Sequence, residues 1–165
     1  MNYSWMDAAC IGLLATVAAV QFLRGTHDFS RVFYEMIFLI AAVVGASRLF
    51  RMAAELTKWS PAVCFVAIFL VLGVLGMVFA GLLNAKMAFG LGIFSYVFSL
   101  LAGVACGYVL GHIAVRTLLL GFAPTHHDLA QATYRSWMAR ELLHFRTLHE
   151  VLAILRFARY SNVSR

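Results

Sequence analysis

Glu35 is the residue of this 165-residue chain whose position most demands a chemical explanation. It lies near the start of an apolar run, 32–47. An ionisable group within such a run pairs with another group or faces water. Arg31 stands four residues earlier, on the same face of a helix, and Arg24 precedes it in the adjoining turn. The spacing predicts an Arg31–Glu35 pair near the headgroups. The alternative is a proton or ion relay, but the apolar runs 8–23 and 62–83 hold no charge to continue one. The turn from Arg24 to Arg31, with Asp28 and Glu35, is therefore the candidate functional corner.

Other reactive groups point less far. His112 and Arg116 share a helix face by the same spacing, which suggests snorkelling at an interface. His126, His127 and Asp128 adjoin, while His144 and His149 are five apart rather than the helical four. Zinc needs further convergence than this, so neither a metal nor a cofactor is expected. Cys10, Cys64 and Cys106 each sit in an apolar stretch without CxxC spacing, and read as small buried thiols. GxSxG, Walker A, HExxH and a dinucleotide-binding GxGxxG are all missing from the sequence. The expectation is a protein that is not an enzyme.

The elements that position these groups follow from composition. Hydrophobic types make up 63% and charged residues 12%, too apolar and too sparsely charged for a soluble domain. Four apolar stretches appear, at 8–23, 32–47, 62–83 and 93–115. About 20 helical residues cross the hydrocarbon layer. The third and fourth stretches meet that length; the first two reach only ~24 Å. The third holds fourteen Leu, Ile, Val or Phe, about −6 kcal/mol of insertion energy. The second holds eight, about −3.5 kcal/mol, which an off-centre acid erodes. The expected fold is an all-α membrane protein with four transmembrane helices, the first two short and readable as a hairpin or a re-entrant pair. The start, with Asp7 and no Lys or Arg before it, does not resemble a cleavable signal.

With four spans, one side of the bilayer carries Arg48, Arg51, Lys58, Arg116, Arg135, Arg140, Arg146, Arg156, Arg159 and Arg165. The other carries Arg24, Arg31 and Lys86. This bias places both termini in the cytoplasm. The net charge of +6 belongs with anionic lipid and cytoplasmic loops, not with nucleic acid. Residues 1–120 form the four-span domain, and 121–165 an amphipathic cytoplasmic tail. Met138, Leu142, Phe145, Leu148, Leu152 and Leu155 recur at helical spacing. They predict one helix over 128–160, lying on the inner leaflet or docked on a partner or a second copy.

Gly103, Gly107 and Gly111 repeat every fourth residue in the last span. Such a strip lets another helix backbone come close, either within one subunit or between copies in a homo-oligomer.

Asp7 before the first span, Arg24-Gly25 at its end with Asp28 three residues on, and the stepped glycines of the last span together resemble the colicin V production family of bacterial inner-membrane proteins. The resemblance covers roughly residues 5 to 120. Ser99 and Leu110 stand where that family often carries charged residues. The resemblance adds Asp7 to the functional turn of Arg24, Gly25, Asp28, Arg31 and Glu35. It implies a multi-pass inner-membrane protein supporting toxin production, secretion or envelope maintenance, with a secretion or envelope protein as partner. The alternative function is an oligomeric channel or transporter subunit.

Overall fold

The computed structural model describes residues 5–122 and 126–145. The chain forms α1 (Trp5–His27), α2 (Phe29–Thr57), α3 (Pro61–Met87), a 3-10 turn (Gly92–Phe94), α4 (Ser95–Phe122), α5 (His127–Arg135) and α6 (Trp137–His144). No strand occurs among the described residues.

Local chemistry sets the boundaries. Asp28 is the single residue between α1 and α2, and its carboxylate accepts from the Arg31 amide at 3.3 Å, capping α2. Ser60 caps α3 through the Val63 amide, with Pro61 in the first helical position, where its missing N–H costs nothing. Lys58 ends α2 in the left-handed region at φ 56.

Four helices are long and apolar enough to cross a membrane, with mean hydropathies of 1.8, 1.8, 2.9 and 2.0 in chain order. The first two are not short. α1 has 23 residues and α2 has 29, roughly 35 and 44 Å of helix, and the re-entrant reading falls away. Counting apolar residues underestimates them because helix continues through polar flanks. Trp5–Asp7 and Arg24–His27 extend α1, and Arg48–Thr57 extend α2. Continuing the helix satisfies backbone groups that hydrocarbon would leave unpaired. α1 and α2 are sequential, but neither has the other as its main neighbour.

α1 packs chiefly on α4 and α2 chiefly on α3, while α4 also touches α2, α3 and α6 and so lies at the centre. Burial is inverted relative to a soluble bundle. Leu70, Val71, Val74, Leu75, Val78 and Phe79 of α3 are exposed, whereas Ser30, Ser99 and His112 are buried. An exposed apolar surface of this extent is one that acyl chains cover. One core cluster joins Val43, Ala46, Phe50, Phe65, Val109 and Ile113. A second joins Met6, Cys10, Val115, Met138, Ala139 and Leu142.

That second cluster corrects the single tail helix. Within the described residues the tail is two short helices broken at Ser136, and Phe145 ends α6 in the left-handed region at φ 49. The apolar stripe of α6 is buried on α1 and α4 of the same chain. Capping wins over continuation at Ser136 because its hydroxyl takes the Ala139 amide at 3.0 Å. The remainder of the expected helix, 146–160, lies outside the described residues.

Candidate functional site: two polar ends of one bundle

The helices alternate in direction, which gathers their polar residues at two ends. At one end lie the close of α1, the start of α2, the close of α3 and the start of α4. Glu35 is buried there, 9% exposed, with Arg24 at 2.8 Å and Arg31 at 3.2 Å on the same carboxylate oxygen. Arg24 also donates to Gln21 at 3.3 Å. The i,i+4 pair is present, and Arg24 from the preceding helix joins it. Asp28 accepts from Asn84 of α3 at 2.9 Å and from the Ser30 hydroxyl at 3.2 Å. Ser30 also meets the Asn84 carboxamide oxygen. One carboxylate thus caps α2 and fastens it to α3. Phe89 stands edge-on to Phe29, Phe33 and Tyr34 beside this network.

Gly25 belongs to the corner by packing. A Cβ there would overlap the Ser99 side chain. Ser99 is fully buried, and its hydroxyl has no hydrogen-bond partner among the described residues.

Asp7 is not part of this corner. Seventeen residues of straight helix separate it from Arg24, roughly 26 Å, so it stands at the opposite end. There it is buried, accepting from the Ser136 hydroxyl at 2.7 Å and the Met138 amide at 2.9 Å. Its charge faces the start of α6, where a helix dipole favours an anion. His112 is buried at this end rather than snorkelling. Its Nδ1 lies 2.9 Å from the Leu142 carbonyl. A carbonyl only accepts, so Nδ1 carries the proton. Phe145 stacks on the ring at 5.0 Å. Arg116 bonds Ser47 at 3.0 Å and lies 5.1 Å from the centroids of both Phe50 and Phe65.

The stepped glycines join the two ends. Cβ atoms on Gly103 and Gly107 would lie 2.7 and 3.0 Å from the carbonyl oxygens of Ala18 and Leu14 in α1. One on Gly111 would lie 2.9 Å from the Leu142 side chain of α6. All three positions are covered by the chain's own helices. Cys10, Cys64 and Cys106 are free and buried. Among the described residues, no group of three or more His, Cys, Asp or Glu converges as a metal site.

Sequence reasoning missed Asn84, Ser30 and Ser47, and noted Ser99 only as a departure from the resembled family. Asn84 had a signal, a carboxamide at the rim of the most apolar run. The serines had none, because serine is common in helices that pack closely.

Each Glu35 link joins a half-exposed arginine and contributes about 0.2–1 kcal/mol alone. Together they cover a buried carboxylate, so losing both costs more than the sum. Arg24→Ala is expected to lower unfolding stability in detergent by about 0.5–1 kcal/mol. The Arg24→Ala/Arg31→Ala double variant should lose more than the two singles added, and Glu35→Gln should recover part of that loss. Strict additivity without recovery would show that Glu35 is solvated.

Fold and polar ends together define a polytopic α-helical membrane protein in which Glu35, Asp28, Asp7 and His112 make helix-to-helix contacts. No family model, curated protein or solved structure matches this chain.

Proposed function

We propose that this chain is a non-enzymatic protein of the bacterial inner membrane, with both termini in the cytoplasm. In this reading it serves as a compact scaffold in toxin production, secretion or envelope maintenance, as the resemblance to the colicin V production family implies. The observation that carries the scaffold reading is the use made of the polar groups. Glu35, Asp28, Asp7 and His112 each bind another part of the same chain. Groups engaged in holding helices are poorly placed to relay ions, because a relay needs partners that exchange. The excess of Arg and Lys at the end bearing α5 and α6 supports the orientation.

The test is a bacterial strain lacking this chain, assayed for release of a small exported peptide toxin and for detergent sensitivity. The scaffold reading expects impaired release or raised sensitivity, restored by the wild type. A strain normal in both overturns it. In reconstituted vesicles, the wild type and Glu35→Gln should both match empty vesicles in ion flux. Flux that Glu35→Gln abolishes would support the channel reading instead.

A further inference from the structure

We propose that Arg116 and Arg51 form a seat for the phosphate of an anionic phospholipid, at the end of the bundle that carries α5 and α6. The proposal is independent of the scaffold reading.

Arg116 is held in place, and no carboxylate among the described residues pairs with it. Ser47 takes one of its nitrogens at 3.0 Å, His112 Nε2 lies 3.4 Å from the same nitrogen, and Phe50 and Phe65 present ring faces. None of these partners carries negative charge. Among the described residues, the arginine–carboxylate pairs all fall on Glu35, at the other end of the molecule. A guanidinium half withdrawn from solvent, fixed in orientation and without a counter-anion among the described residues is an incomplete ion pair.

Arg51 supplies the second cation. Its guanidinium carbon lies 5.8 Å from the Phe50 centroid, the same ring that Arg116 approaches at 5.1 Å. Two guanidinium groups at one ring gather positive charge at a single place on the surface, and Arg51 is near enough to act on Arg116 electrostatically. Arg48, one turn earlier on α2, is also exposed. Glu55 is the nearest acid along α2 and comes within 4 Å of neither Arg51 nor Arg116. The planar guanidinium fork matches phosphate oxygens two at a time, which an ammonium cannot do.

Depth and surroundings select a lipid rather than a free anion. Arg116 lies six residues before the end of α4, and Arg51 six before the end of α2, roughly 9 Å inside each helix end. This is the level of the headgroup–acyl boundary for helices that overrun the hydrocarbon. Exposed Trp59 lies beyond it, where interfacial tryptophans sit. Leu49, Met52 and Val63 are exposed on the neighbouring surface, offering acyl chains an apolar wall beside the cations. Basic sites between transmembrane helices suit anionic headgroups.

The test is native mass spectrometry of the delipidated full chain, titrated with phosphatidylglycerol, phosphatidylcholine or soluble glycerol 3-phosphate. The wild type should hold phosphatidylglycerol about fivefold or more in preference to phosphatidylcholine. Arg51→Gln, at an exposed position, should reduce that preference about fivefold without changing the melting temperature. Arg116→Gln should reduce it further. Arg135→Gln on α5 serves as the control and should leave it intact. Equal retention of the two lipids overturns the proposal, as does an Arg51→Gln variant indistinguishable from wild type. Glycerol 3-phosphate binding as strongly as the lipid overturns the lipid as occupant.

Discussion

Replacing Asp7 with alanine is expected to release α5 and α6 from the bundle and to lower stability by about 2–3 kcal/mol. Asp7 is 5% exposed, and its carboxylate does two jobs. It takes the Met138 amide, one of the donors that a helix start leaves without an intrahelical partner. It also takes the Ser136 hydroxyl, which in turn caps α6 through Ala139. Alanine leaves a buried amide and a buried hydroxyl with an acceptor gone. Asp7→Asn keeps an acceptor oxygen but loses the charge facing the helix dipole, so a smaller loss is expected. Hydrogen exchange reads the difference locally. Amides of α6 should exchange much faster in Asp7→Ala, while those at the centre of α3 stay protected. Unchanged protection in α6 would mean that the apolar stripe of Met138, Ala139 and Leu142 docks the helix unaided.

The second large effect is expected at Gly103. A methyl group there meets the backbone of Ala18, with the carbonyl oxygen 2.7 Å away and Cα at 3.1 Å. Backbone cannot rotate aside as a side chain can, so α1 and α4 must separate along the contact. Gly103→Ala should cost about 1–3 kcal/mol, the usual range for overpacking, and Gly103→Leu should prevent the bundle from closing. Gly107→Leu follows the same logic against Leu14. Gly111 should tolerate alanine better, because its neighbour is the flexible end of Leu142. Gly12 provides the internal comparison. Nothing lies within 4 Å of a Cβ there, so Gly12→Ala should be neutral or stabilise by up to about 1 kcal/mol through helix propensity. Thermal unfolding in one detergent ranks the four positions. A Gly103→Ala variant as stable as Gly12→Ala would show that the α1–α4 contact is loose.

Both expectations come from one arrangement. α4 is the central helix, its glycines admit α1, and the end of α1 then presents Asp7 to α6. A change at the glycine strip should therefore propagate to α6, whereas a change at Asp7 should leave the strip closed. The Glu35 corner at the far end should not respond to the Asp7 change, but it should feel the strip, because Gly25 packs on Ser99 one turn before Gly103 and Arg24 reaches Glu35 from α1.

The apolar runs were enough to specify helices, their number and their membrane setting, because an unpaired backbone group in hydrocarbon costs more than any local preference can offset. The Arg31–Glu35 pair was legible for a similar reason, since helical spacing alone puts those side chains together. The same reasoning understated α1 and α2, whose polar ends stay helical beyond the apolar counts. The family resemblance grouped Asp7 with the Arg24 turn, although a straight helix holds them at opposite ends. Arg24 reaching Glu35, Asn84 reaching Asp28 and Asp7 reaching Met138 are contacts between separate helices, and neighbour choice leaves no periodic trace in a single chain. The glycine strip announced a close approach without saying whose. Only the packed bundle assigns two of its steps to α1 and the third to α6, because a surface without side chains accepts any helix whose shape fits it.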